Sequence, residues 1–496
     1  MYLFYYLFFA FCFGAKMIGL YDGQKPFYVL VGIGLLFYLI KLLTTKMSTL
    51  EFIFIAAVMG MSALVYLMTG EKGLILCMAI VTGIKGVDST KLIKFSVIEG
   101  TVLFLIMVLL TSLGIVPDVH HITEKFGGQL LRRDFGQPSC NVTHTVLFVL
   151  ISMAIFLYGD GAHLFKLSVF MMILNICCFA YTLSITGFLS ITFLLAINLF
   201  FLKIKREFSS GIILAANVIF AFIILLSIVS PIIIKGAAFD FINKILNHRL
   251  EYGKYYLLNE RITLLGSRFA PAPNTNFYLD NSFQYLFLQL GVVTFVITLI
   301  VLFIGVNGML KAGDKGAFIL FVAYTFIGLS DPFLFNTSFK NITLIFVGKY
   351  MFDYLAKLGV RYGLKSRCII NISSREVPEI LKRIKTRVFH IDSTLDGLVQ
   401  YIVTFFDNKS NLLLLLFVLA PLVGVGAYFF FPQLYDISLL AEGDRLVYDF
   451  EFYVQLNNLV NKELCILRTG ILDGIFFAIA LTVITFVNWS KRWKEL

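Results

Sequence analysis

Two cationic stretches interrupt a chain that is otherwise almost wholly apolar. The first, over about residues 117–142, holds Arg132, Arg133, Asp134, Gly136 and Asn141. The second, over about residues 235–281, runs Asn247-His248-Arg249, then Leu265-Gly266, then Asp280-Asn281, with Gly291 just beyond. Arginine is permanently charged, and its planar guanidinium grips a phosphate through two parallel hydrogen bonds. Arg132 and Arg249 are therefore the first candidates for holding a concentrated anion, with Arg133 in reserve. Gly136 and Pro138 break helical structure and let a backbone turn approach a ligand. Asn141 and Thr143 stand where the next helix begins, a place that favours an anion and equally suits an ordinary N-cap. Asp280 and Asn281 carry the same double reading at the mouth of a later helix. Either side chain can cap it, and the Asp280 carboxylate can also take a proton from a hydroxyl as a general base.

Such loops need a scaffold, and the composition says which kind. Apolar residues make up 59% of the 496 positions and charged residues only 14%; mean hydropathy is +0.88. A water-soluble domain of this size has no use for so much apolar surface, so lipid is the solvent. About fourteen stretches approach the ~17–25 apolar residues that cross a hydrocarbon core. Charged groups inside such stretches are functional candidates by default. Glu99 and Asp353 lie close enough to the inner ends of their spans to snorkel. Asp331 lies near the outer end of its span, level with the two loops, and stays a candidate.

The formal net charge of +11 raises nucleic acid as a partner, and the placement of the charges argues against it. Lys41 and Lys46, Lys85 and Lys91, Lys203, Lys205 and Arg206, Lys311 and Lys315, then Arg361, Lys365 and Arg367 fall in alternate short loops, and Lys491, Arg492 and Lys494 close the chain. That is the positive-inside pattern with both termini inside. Both special loops then face outward. Cysteines introduced at positions 125–140 and 245–275 are expected to react with a membrane-impermeant thiol reagent from outside, and those at 370–400 to stay silent. External labelling at position 385 would overturn the orientation.

The first apolar segment has no basic lead-in or small-residue cleavage site, so it reads as a retained span. The seven cysteines show no metal spacing. Cys140 and Cys465 both fall outside, where a bridge between them is feasible. His120, His121, His144 and His248 are external and scattered, without a ligand cluster, so no metal or other cofactor is expected.

The landmarks fall in a familiar order. Arg132-x-x-x-Gly136-x-x-x-x-Asn141 precedes a span, and Ser184-Ile185-Thr186-Gly187 follows the next one. Asn247-x-Arg249 and Leu265-Gly266 come in the large loop, then Asp280-Asn281 and Gly291 at the start of a span, then Asp331 and Asn341. Over about residues 20–358 the chain resembles the Wzy-type polysaccharide repeat-unit polymerases of the bacterial O-antigen, capsule and exopolysaccharide polymerase and ligase group. It departs from them in places. The family often has an arginine where Ile185 stands, and Arg261 or Arg268 would have to replace it. Cys140 replaces a usual proline, and Asp331 a common glutamate. A fainter likeness, His390-Ile391-Asp392 through Phe431-Pro432-x-x-Tyr435, is to polysaccharide chain-length regulators.

The resemblance implies an all-α polytopic integral membrane protein of about 14 transmembrane helices. Residues 1–358 would form a GT-C-like polymerase body with large external loops, 359–410 a basic cytoplasmic segment, and 411–496 an appended transmembrane hairpin. The implied activity is that of a glycosyltransferase in the bacterial cytoplasmic membrane. It would polymerise undecaprenyl-diphosphate-linked oligosaccharide repeats on the outer face, with membrane lipid and a chain-length regulator as further partners and no nucleic acid. Arg132, Arg249 and Asp280 would be catalytic; Arg133, Gly136, Asn141, Gly266, Asn281, Asp331 and Asn341 would bind substrate. Two other functions stay open. A lipid-linked oligosaccharide flippase has a similar span count, but transporters favour internal repeats, short loops and midplane charges, which this chain lacks. A ligase shares the arginine logic, although the external histidine of some relatives finds no counterpart here.

Overall fold

The computed structural model describes residues 2–113, 115–116, 120–125, 128–159, 164–202, 208–246, 248–270, 278–366, 368, 404–405, 408–409, 411–427, 429–430 and 462–495. Asn247 and the regulator-like stretches around 390–395 and 431–435 lie outside them. The helices are α1 (Tyr2–Met17), α2 (Lys25–Thr44), α3 (Thr49–Thr69), α4 (Gly73–Gly83), α5 (Ser89–Ser112), α6 (Cys140–Tyr158), α7 (Leu164–Thr182), α8 (Ile185–Leu202), α9 (Ser210–Ile233), α10 (Gly236–Ile245), α11 (Arg249–Asn259), α12 (Ser282–Leu288), α13 (Val292–Lys311), α14 (Lys315–Gly328) and α15 (Thr343–Arg361). They are followed by α16 (Asn411–Ala427) and α17 (Lys462–Glu495). Seven of them, α2, α3, α5, α6, α7, α9 and α13, are long and apolar enough to cross a membrane. The protein is a mainly helical, multi-pass membrane protein. The remaining apolar helices include α1, α4, α8, α14 and α16, each shorter than a full span.

One element departs from the all-α expectation. Strands β1 (His120–Lys125) and β2 (Gly128–Arg133) pair antiparallel within the first loop, with His121 opposite Arg132. A two-stranded ribbon pairs the inward-facing backbone groups of the two strands, which a single extended loop cannot do.

Local chemistry sets the helix ends. Ser48 and Glu51 close a capping box at the start of α3, and left-handed Gly70 ends it. Asp314 caps α14 through the Ala317 N–H, and Pro26 sits in the first turn of α2, where its missing donor costs nothing.

The chain divides into two compact units. Unit 1 comprises Met1–Leu103, Val149–Tyr158 and Ala196–Asn371; unit 2 comprises Phe104–Phe148, Gly159–Leu195 and Ile372–Leu496. Unit 1 has two polar ends. At one, Lys72 pairs with Asp22 at 2.9 Å, and Glu71 accepts from Tyr285 Oη at 2.9 Å and from Gln289 Nε2 at 2.7 Å. At the other, Lys85 pairs with Glu51, Lys41 donates to the Lys85 carbonyl at 2.9 Å, and Cys368 lies 3.7 Å from the Thr44 carbonyl. The positive-inside pattern of the sequence expects the first of these to be the outer end.

In unit 2, Phe417, Ala420, Ile475 and Ala478 form a buried cluster joined by Phe170, Ile173 and Cys177 of α7. Small residues let α16 and α17 approach closely, since a Cβ on Gly474 would sit 2.3 Å from the Ala420 carbonyl oxygen.

Candidate functional site

In unit 1 the second cationic loop, the start of α12 and the segment between α14 and α15 meet at the end that carries Glu71 and Lys72. His248 adopts a left-handed φ of 66°. Its imidazole Nδ1 meets the Glu251 carboxylate at 3.1 Å, and Asn243 Oδ1 accepts the Glu251 N–H at 3.0 Å. This tight joint between α10 and α11 places Arg249 in the first turn of α11. Arg249 Nε donates to Asp280 Oδ2 at 3.2 Å, with the two side chains 18% and 31% exposed, so the pair is sheltered yet reachable. Burial raises the Asp280 carboxyl above its ordinary value, and Arg249 pulls it back in part.

Asn281, not Asp280, caps α12. Its Oδ1 accepts the Phe283 and Gln284 N–H groups at 2.9 and 3.0 Å, and its amide donates to the Leu329 carbonyl at 3.2 Å. The capping duty is thus filled by the neighbour, which leaves the Asp280 carboxylate to Arg249. Ser282 Oγ donates to the Asp331 carbonyl at 2.6 Å and accepts the Leu334 N–H at 3.2 Å, stitching the two segments together. The Asp331 carboxylate accepts the Phe333 N–H at 3.0 Å and lies within electrostatic range of Asp280, Arg249 and Lys340. Here the Arg249 cation can steady a departing anion, and a neighbouring carboxylate can accept a hydroxyl proton.

Asn341 is buried; it donates to the Leu334 carbonyl at 3.2 Å and accepts from the Thr343 hydroxyl. Gly266 and Gly291 back onto each other. A Cβ on Gly291 would lie 2.2 Å from the Gly266 nitrogen, and one on Gly266 would lie 2.2 Å from the Gln289 carbonyl oxygen. Both have positive φ, 83° and 93°. Val292 and Val293 donate to the Thr263 and Leu264 carbonyls at 3.0 Å each. These positions hold the loop against the start of α13, a role in chain packing. Arg261 and Arg268 are exposed, and Arg268 lies against Gly70.

Unit 2 carries the first cationic stretch. Phe135 and Gly136 both have positive φ, 53° and 72°, and Gln137 donates to the Asp134 carbonyl at 3.0 Å. This is a type I′ turn between β2 and α6. The space at Gly136 is tight, since an added Cβ would meet Val116 at 2.8 Å and Thr111 at 3.0 Å. Arg132 Nε donates to the Thr182 carbonyl and Nη2 to Asn141 Oδ1, both at 2.7 Å. Burial lowers the guanidinium's proton affinity somewhat, yet arginine stays charged. The start of α6 is served by Ser139, whose hydroxyl accepts the Val142 N–H at 3.3 Å, so Asn141 is free to take Arg132. Arg133 lies over the Tyr181 ring at 5.2 Å, and that ring stacks on Phe135.

Three features escaped the sequence reading. His144 is not external: it is wholly buried in α6, with Nδ1 at 3.0 Å from Thr182 Oγ1 and Nε2 at 2.8 Å from Asn175 Oδ1. Gly187 makes room for that ring, because a Cβ there would come within 2.5 Å of it. Cys140 is buried as a free thiol, and the Cys465 side chain lies outside the described residues. Lys340 is buried near Asp331, a proximity that no motif in the sequence announced. Comparison with protein-family models, with curated proteins and with solved structures returns no match for this chain.

Proposed function

We propose that the chain polymerises undecaprenyl-diphosphate-linked oligosaccharide repeat units on the outer face of the bacterial cytoplasmic membrane. The observation that supports this is the convergence of Arg249, Asp280 and Asp331, three landmarks far apart in sequence, at one polar end of a lipid-embedded body. In the reaction an acceptor sugar hydroxyl attacks the anomeric carbon of the growing glycan. The new C–O bond forms as the bond to the lipid diphosphate breaks, and the hydroxyl proton passes to Asp280. The departing diphosphate concentrates negative charge, which a fixed guanidinium stabilises most in the transition state. The polyprenyl tail stays against the helices, since it cannot leave the bilayer cheaply. With this reading go a GT-C-like body of about fourteen transmembrane helices and a chain-length regulator as partner.

The test is the surface glycan of cells lacking the protein. A single repeat unit in place of the normal ladder is expected. Long polymer that is never transferred to its final acceptor would mean a ligase, and no glycan at the surface would mean a flippase.

A further inference from the structure

Two lysines at the outer end of unit 1 are more than nine-tenths buried: Lys340 is 4% exposed and Lys16 is 6% exposed. A buried ammonium is costly unless acceptors surround it. Lys41, at the opposite end, obeys that rule, donating to Thr45 Oγ1 at 2.7 Å and the Lys85 carbonyl at 2.9 Å. Lys16 and Lys340 have no such acceptors: among the described residues neither makes a hydrogen bond or an ion pair, and neither ammonium nitrogen is sealed from solvent, so both stay open to a ligand. Lys16 Nζ lies 3.9 Å from the centre of the Phe27 ring, whose face attracts the charge but offers no acceptor oxygen.

The two ammonium groups lie within range of each other's repulsion. The carboxylates that face them act only through space and are already engaged. Asp22, which faces Lys16, takes Lys72 at 2.9 Å and the Tyr28 hydroxyl at 2.6 Å. Asp331, which faces Lys340, takes the Phe333 N–H at 3.0 Å.

The backbone is strained to hold this arrangement. Phe339, directly before Lys340, has a left-handed φ of 53°. Its ring is gripped by Phe8 and Phe9 of α1 at 5.6 and 5.3 Å. A non-glycine residue persists in that region only where surrounding packing enforces it. Here the packing fixes Lys340 against the helix that carries Lys16 in its last turn.

We propose that Lys16 and Lys340 jointly hold one phosphate-class anion at the outer end of unit 1, a site separate from the Arg249–Asp280 pair. A single phosphate or diphosphate supplies several acceptor oxygens and opposite charge to both ammonium groups at once, which no side chain there does. The anion is either a free phosphate or diphosphate or the headgroup of a prenyl phosphate lipid. The site does not depend on the polymerisation chemistry, and its test reads binding alone.

Full-length protein in phosphatidylcholine nanodiscs is titrated with inorganic diphosphate and, separately, with farnesyl diphosphate, following the thermal midpoint. A ligand that binds only the folded state raises that midpoint. Binding by the wild type is expected, weakened at least tenfold in both Lys16→Met and Lys340→Met and largely kept in Lys340→Arg. Binding of both probes marks a free-anion site, and binding of farnesyl diphosphate alone marks a lipid headgroup. In the wild type, saturating diphosphate or farnesyl diphosphate should also shield Lys16 and Lys340 from a lysine-acylating reagent read by mass spectrometry, which decides the matter if a variant fails to accumulate. Failure of both probes to bind, absence of shielding, or unchanged binding in Lys340→Met overturns the proposal.

Discussion

Arg249→Ala is expected to reduce polymer to about a hundredth to a thousandth of the wild-type amount, the usual cost of removing one fixed donor from a developing oxyanion. The protein should still reach the membrane, because the side chain sits at a helix start rather than in the apolar core. Arg249→Lys keeps the charge but loses the planar fork and should recover little activity. The geometry also supplies a control. Arg249 and Asp280 are partners at 3.2 Å, so each single replacement strands the other charge in a sheltered place. The double variant Arg249→Ala/Asp280→Ala removes both and should restore normal accumulation. If the pair only holds α11 to the start of α12, the double variant regains the glycan ladder. If the pair does chemistry, the ladder stays collapsed at one repeat unit. A normal ladder from Arg249→Ala sinks the assignment outright.

The helical frame was legible because lipid imposes it. Every backbone group in hydrocarbon must be satisfied within its own segment, so apolar stretches read directly as helices. The Ser48–Glu51 capping box and the Asp314 cap are written in adjacent residues. What was illegible depends on partners distant in sequence. Nothing near residue 120 signals that His121 will face Arg132 across a ribbon. The dipeptide Asp280-Asn281 offers two equally good caps, and only the carbonyl of Leu329 and the guanidinium of Arg249 assign the asparagine to the helix and the aspartate to the arginine. Gly266 and Gly291 lie far apart in sequence, and only the fold shows how closely they crowd. His144 looked external because it follows a polar loop; its burial depends on Asn175 and on the missing side chain at Gly187.

Arg132→Ala is the second large expected loss, and its origin is mixed in a way that can be separated. Two of the guanidinium's five N–H groups are spent on the Thr182 carbonyl and on Asn141, tying the end of β2 to α7 and α6. The other N–H groups can serve a ligand. Truncation leaves a carbonyl and an amide oxygen unmet, at about 1.5–3 kcal/mol for each hydrogen bond to a charged group. Some loss of protein from the membrane is therefore expected, along with polymer falling about a hundredfold or more. Asn141→Ala separates the two contributions, since it removes one tether and leaves the charge in place. If Arg132 matters only as a tie, Asn141→Ala and Arg132→Ala should lose activity in proportion to lost protein. If the charge itself acts on an anion, Asn141→Ala should keep most activity per molecule while Arg132→Ala keeps almost none. Arg132→Lys discriminates further, because an ammonium can reach one of the two acceptors but cannot hold both and still present a fork. Full activity per molecule in Arg132→Lys or in Arg132→Ala would reduce Arg132 to a structural tie.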